Sequence, residues 1–232
     1  MPKVKFAYDL KKDVWSWVHI AKSKDCWGMN WRDEVGHINN ELLEKIEKNS
    51  FAKAEKIVLE YIKNRPIRKN KNLVMYLEIR ALEKAWKLFD KIYFTALEKI
   101  TQKPMFRKEF TCYFTTGLMC PYSERENWFM SSMWHSTPSS IATICHEIMH
   151  LQFLHYYRKY LEKAGLNEEQ IQDLKEALTF LLNDPVFDKI IKCDDNGYPA
   201  HQKLRKQLSI IWNKTQDFKI LIDEGIKIIK KS

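Results

Sequence analysis

Two histidines and a glutamate stand in the pattern His146-Glu147-Ile148-Met149-His150, H-E-x-x-H, within residues 141–151, a run that is otherwise mostly apolar. On a helix, at about 100° per residue, the two histidines fall about 40° apart and one turn along the same face, so their ring nitrogens can converge on one ion. Glu147 lies about 100° round from His146, within reach of a water on that ion but badly placed to ligate it. Imidazoles and a carboxylate set among Ile, Met and Leu are costly to desolvate unless something pairs with them, and a metal ion is such a partner. The pattern therefore points to a zinc ion held by His146 and His150, with Glu147 as general base toward the water.

A catalytic zinc commonly takes three protein ligands and keeps one position for water, so a third must come from elsewhere in the chain. His155 is close in sequence, but along an unbroken helix it points about 180° from His146 and about 140° from His150. No glycine lies between His150 and His155 to turn the chain. The next helical stretch carries Glu176 beside Ala177 and one turn before Phe180, at the border of its apolar face. A carboxylate there turns outward to solvent or is drawn inward by a cation, and the histidine pair favours the second, which makes Glu176 the expected third ligand. Asp173, one turn earlier and about 60° round, is its rival, or an acceptor that orients a ligand histidine.

These residues need a frame, and the apolar periodicity makes it mainly helical. Asp9 is placed to cap a first helix reaching about Lys22. Helical spacing resumes through Val35, Ile38, Leu42 and Ile46, breaks near Asn49 and Ser50, and continues from Phe51 to Tyr61 before Pro66. One long helix is expected over residues 72–101, ending ahead of Pro104. Residues 110–116 and 127–134 are rich in aromatic and β-favouring types and read as two strands joined into an antiparallel hairpin through residues 121–126. Thr137 as N-cap and Pro138 at the first helical position open the helix that carries the motif, which runs to about Lys163 and stops at Ala164 and Gly165. Asn167 caps the next helix, residues 168–183, and a last helical region spans about 200–230. Trp27 and Trp31, in an irregular aromatic segment, could line a pocket; packing a helix down is the commoner use of such residues.

This order of parts, a backing helix, strands, the H-E-x-x-H helix and then a glutamate helix, resembles the gluzincin group of zinc metallopeptidases over about residues 73–183. Glu176, Ala177, Phe180 and Leu182 are also similar to the glutamate segment of small intracellular peptidases that act on phage repressors. The resemblance implies an α+β, mostly helical fold: a zincin-like core with a small antiparallel sheet. It also implies Zn2+ as cofactor and a peptide or protein as substrate, with the strand containing Trp128 to Trp134 holding an extended peptide by edge pairing. In that reading the ion polarises the scissile carbonyl, and Glu147 takes the water's proton and delivers it to the leaving amine. For the oxyanion only Tyr198 and His201 offer themselves downstream, and the commoner role of both is structural. The metzincin pattern wants a glycine and a histidine six residues after the second motif histidine, where this chain has Gln152-Phe153-Leu154-His155.

Composition agrees with such a frame. Of 232 residues 45% are hydrophobic and 13% aromatic, with only 6 Gly and 7 Pro, a balance that favours helices over an all-β fold. Three regions are expected: residues 1–70 as a helical region packed on the core, 71–185 as the zincin-like core, and 186–232 as a helical extension. No stretch is long and apolar enough for a membrane span, and residues 1–6 lack the apolar core of a secretory signal, so a cytoplasmic protein without membrane partners is expected. Five cysteines without C-x-x-C spacing indicate neither a disulfide framework nor a thiolate zinc knuckle. The net charge of +9 is scattered. Its densest cluster, residues 63–71, lacks interleaved aromatics and reads as an exposed linker, which disfavours nucleic acid as partner. The rival from another class is a helical protein- or nucleic-acid-binding module whose metal is structural or whose site is inactive. A fourth ligand such as His135 or His201 would mark it.

Overall fold

The computed structural model of the protein describes residues 1–23, 26–64 and 68–231, and within them all side chains except those of residues 34, 36–38 and 68–72. The chain is mostly helical with one small mixed sheet. It begins with strand β1 (Lys3–Tyr8), followed by helices α1 (Leu10–Lys22), α2 (Trp31–Ile38), α3 (Asn40–Glu47), α4 (Phe51–Asn64), α5 (Arg68–Lys87) and α6 (Asp90–Thr101). Strands β2 (Glu109–Thr115), β3 (Tyr122–Ser123) and β4 (Trp128–Ser132) come next, then helices α7 (Thr137–Lys163) and α8 (Glu168–Ala177). After short 3-10 segments, α9 (Gln202–Thr215) and α10 (Phe218–Ile229) close the chain.

The sheet departs from the expected antiparallel hairpin. Its order is β1-β2-β4-β3; β1 and β4 both run parallel to β2, and only the two-residue β3 is antiparallel, paired through Tyr122 to Phe129 and Ser123 to Trp128. A buried carboxylate on α1 ties the end of β2 to that helix. Asp13 accepts hydrogen bonds from the Thr116 backbone N–H (2.7 Å), the Thr115 hydroxyl (2.9 Å) and the Tyr8 hydroxyl (2.8 Å), while the Trp17 indole donates to the Thr116 hydroxyl (2.9 Å). With the end of β2 tied to α1, the chain passes beyond the position of β4, forms β3 and turns back, so that β4 enters between them. Strand β1 was not expected, although Lys3-Val4-Lys5-Phe6 alternates with period two: the lysines are exposed while Val4 and Phe6 pack toward the core.

Helices α1 to α4 bury their own cluster, centred on Trp17, Val18, Ile20, Ile46, Ala54 and Val58. Within the region expected to be helical, residues 1–70, β1 belongs to the main sheet and α5 begins at Arg68. The main core lies between the sheet and α5 to α10. The single helix expected through residues 35–46 divides at Asn39, whose side chain accepts the Leu42 N–H at 2.9 Å and caps α3. The long helix expected over residues 72–101 likewise divides at Leu88 and Phe89 into α5 and α6. That turn presents Tyr93 to α7, where its hydroxyl donates to the Cys145 carbonyl at 2.6 Å. Neither break contains Gly or Pro, so the periodicity could not reveal it. Of the basic cluster, residues 65–67 lie outside the described residues, and the part from Arg68 onward is helical rather than linker.

Helix α7 is capped by Ser136, not Thr137: the Ser136 side chain accepts the Ser139 N–H, and Pro138 occupies the first turn. Helix α8 starts with a reciprocal capping box between Asn167 and Gln170. It tightens into a 3-10 helix at Leu178–Asn183, where an uninterrupted α-helix was expected. The last helical region divides at Gln216, which adopts a left-handed conformation with φ 48°. Among the described residues no helix is long and apolar enough to cross a membrane.

Candidate metal centre

Helices α7 and α8 bring the motif and the later glutamate together. Glu176 Oε2 lies 3.1 Å from His150 Nε2 and 3.5 Å from His146 Nε2, so both rings aim at one carboxylate oxygen. His150 and Glu176 are buried, and the His146 side chain keeps 21% of its surface toward a cleft. Glu147, also buried, lines the same cleft, and its Oε2 has no hydrogen-bond partner.

Residues that the sequence did not single out brace this cluster. Asp195, from the loop ahead of α9, accepts from His146 Nδ1 at 2.7 Å, which fixes the ring and turns its Nε2 toward Glu176. The other Asp195 oxygen takes the Thr179 hydroxyl at 2.8 Å and Arg205 Nη1 at 3.0 Å. The Asn183 side chain bonds both the N–H and the carbonyl of Asp195, at 2.8 and 2.9 Å. The 3-10 turn after α8 is what places Thr179 and Asn183 under this loop. Lys175 is buried beside Glu176: its ammonium donates to Glu176 Oε1 at 2.8 Å and to the Tyr122 hydroxyl at 3.0 Å, leaving Oε2 for the histidines. Turn residues at 193–197 and a lysine next to Glu176 carry no distinctive sequence signal, which is why these braces were missed. His150 has no such brace, since its Nδ1 is buried without a partner.

The protonation pattern follows from these contacts. Burial pulls the His146 imidazolium down, but Asp195 and then Glu176 outweigh it and hold the group well above the ordinary histidine value. For His150 burial prevails over Glu176, and its pKa falls to about 3. Burial raises Glu147 to about 7 against the pull of His146. Glu176 is driven well below the carboxylate range because His150, Lys175 and the histidine hydrogen bonds overcome its burial.

The other expected site residues fall elsewhere. Asp173 is not an acceptor for a ligand histidine: it pairs with His201 Nε2 at 3.0 Å. His201 is buried against the Trp27 ring, 5.2 Å between centroids, and lies outside the His146, His150 and Glu176 group. Tyr198 does line the cleft, its ring 5.1 Å from that of Trp27. His155 stacks on Phe106 at 4.4 Å, away from the motif pair. Trp27 and Trp31 both line the cleft besides packing. The strand expected to offer its edge to a peptide, β4, is interior; the outer strand beside it is β3, with Tyr122 on the cleft wall, and β1 is the other outer strand.

Comparison of the chain with family models, with curated proteins and with solved structures finds no match. The donor set is thus judged on its own geometry. Zinc ligands about 2.0–2.1 Å from the ion at tetrahedral angles lie about 3.3–3.4 Å apart, and the observed separations of 3.1 and 3.5 Å bracket that spacing. Among the described residues, His146, His150 and Glu176 form the one group of metal-binding donor atoms within 4.8 Å of one another. Two neutral-capable imidazoles and one carboxylate suit zinc.

Proposed function

We propose that the protein is a metal-dependent hydrolase of peptide bonds, with His146, His150 and Glu176 holding a zinc ion in a zincin-like core. The observation that carries this reading is the convergence of both Nε2 atoms on Glu176 Oε2 at the wall of an open cleft, with the unpartnered Glu147 carboxylate beside them. When bound, zinc supplies Lewis acidity toward a water and a carbonyl. Glu147 accepts the proton of the attacking water and returns it to the leaving amine; burial, which raises its proton affinity toward neutrality, fits it to both tasks. Asp195 holds the His146 ring through Nδ1–H, and Lys175 holds Glu176 through Oε1. The Tyr198 hydroxyl, on the cleft wall, is a donor suited to developing negative charge on the substrate.

A purely structural zinc would take a fourth protein ligand. His135 instead lies against the Thr143 hydroxyl at 3.4 Å, and His201 pairs with Asp173. Metal analysis of the purified chain is the direct test: about one zinc per chain is expected, lost in His146→Ala and His150→Ala. Glu147→Gln should retain zinc and lose hydrolysis of a peptide mixture by about 10²–10⁴-fold. A chain that neither carries nor takes up zinc ends this reading, and a fully active Glu147→Gln removes the general base.

A further inference from the structure

The cleft that exposes His146 and Glu147 extends past them into a volume of ≈ 660 Å³, within the range of about 300–1,000 Å³ usual for small-molecule sites. Its far wall is built by the N-terminal helices and by the loop that leads into β3. Trp15 on α1, Trp27, Trp31 at the start of α2, Leu118 and Met119 all line it. These residues are held in place. Trp15 packs edge-on against Trp128 at 5.9 Å, and Met119 packs on the N-terminal helical cluster. The turn at residues 26–29 is closed by two backbone hydrogen bonds between Cys26 and Met29, and it rests on the segment at residues 198–200, where the Ala200 N–H donates to the Trp27 carbonyl at 3.3 Å. A Cβ on Gly28 would come within 3.2 Å of Pro199, so the turn is seated directly on that segment. The turn after α1 and the segment ahead of α9 thus meet beside the cleft.

Charge is nearly absent from that wall. Of the charged residues lining the cleft, Glu147, Glu176, Lys175 and Asp195 belong to the metal-type cluster and its braces; Asp194, on the exposed rim, is the other one among the described residues. The Trp31 indole N–H is buried with no acceptor, and besides it the polar side chain of this aromatic wall is His19, stacked on Trp15 at 4.9 Å. A lysine or glutamate side chain entering here would lose its hydration without a counter-charge, whereas a phenyl or branched aliphatic group would gain by burial.

We propose that this wall is the subsite for one large apolar side chain of an extended peptide substrate, and that Trp15, Trp31 and Met119 determine that preference. The proposal rests on the hydrolase reading for what happens beside the subsite, but the pocket's selectivity is a binding property that can be measured without turnover. The peptide backbone would run along β3, the outer strand on the cleft side of the sheet, so that alternate side chains turn into the cleft.

The test uses the zinc-loaded full chain carrying Glu147→Gln and the peptides acetyl-Ala-Ala-X-Ala-Ala-amide, with X as Phe, Leu, Ala or Lys, in calorimetric titrations. Phe and Leu peptides are expected to bind at least tenfold more tightly than the Ala and Lys peptides. Trp31→Ala should shrink that ratio at least fivefold. Because Trp31 and Met119 both also pack on the helical cluster, Leu118→Glu, at a cleft residue outside both apolar clusters, provides the independent check: it places an acid in the wall and should make the Lys peptide bind better than the Phe peptide. Equal binding of all four peptides, or no change of preference in Leu118→Glu, overturns the subsite. Mapping cleavage products of a denatured protein by the Glu147 chain separates the two ideas. Cleavage without preference for apolar residues refutes the subsite and leaves the hydrolase, whereas selective binding with no cleavage supports the subsite and refutes the hydrolase.

Discussion

Replacing Asp195 by Asn isolates what the loop ahead of α9 contributes to the centre. The amide keeps the shape and can still accept from His146 Nδ1 across the 2.7 Å contact, but it loses the charge that holds the ring and makes Nε2 a stronger donor. Orienting acceptors of this kind are worth about 10–100-fold in metal affinity, or roughly 1.4–2.7 kcal/mol at about 1.4 kcal/mol per tenfold. A second effect falls on stability. Asp195 and Arg205 have side chains only 13% and 7% exposed, and removing one partner of a buried pair costs about 3–5 kcal/mol. Here Arg205 keeps a hydrogen bond to the Thr179 hydroxyl at 2.7 Å and another to the Asp195 carbonyl, so a loss of about 2–3 kcal/mol is expected. Zinc affinity by competition with a chelator, and urea unfolding of the metal-free protein, read the two effects separately. Thr179→Val is the control, because it removes a hydrogen bond to the same carboxylate without touching His146. An Asp195→Asn chain that binds zinc within twofold of the unaltered protein would refute the idea that this carboxylate sets the ligand geometry.

Glu176→Gln should weaken zinc binding far more than Asp173→Asn, since Glu176 faces both histidine rings and Asp173 faces His201; equal losses in a chelator competition would put the third ligand elsewhere. Lys175→Met leaves the Glu176 carboxylate buried without its ammonium partner, both side chains being under one-tenth exposed. The metal-free chain should therefore lose about 3 kcal/mol in urea unfolding, and zinc, a stronger partner for that carboxylate, should restore most of it. The same loss with and without zinc would show that Lys175 does not offset the ligand's charge. Asp13→Ala removes the acceptor of the Tyr8 hydroxyl and of the Thr116 backbone N–H where β1 and β2 end, so unfolding should be easier by about 3 kcal/mol while zinc affinity stays unchanged. A shift in zinc affinity would mean that the N-terminal helices also hold the centre in register.

What the sequence alone determined is what local spacing controls. The interval between His146 and His150 sets their common helical face, Pro138 and the Gly165 region bound the helix that carries them, and Asn167 starts the next helix. The border position of Glu176 on an apolar face was also readable. Tertiary structure decided the remainder, because it depends on partners distant in sequence. Whether residues 128–132 pair parallel or antiparallel with β2 depends on the path of the chain after β2, which passes out to β3 before returning to place β4 between them. Whether Asp173 or Glu176 turns to the histidines depends on His201 claiming the former. Asp195 reads as one acid in a turn until the 3-10 tightening after α8 puts Thr179, Asn183 and Arg205 around it. Ligand spacing along one helix is a property of 3.6 residues per turn, which any sequence expresses locally. The groups that orient those ligands meet only when separate elements pack, and no local pattern encodes that meeting.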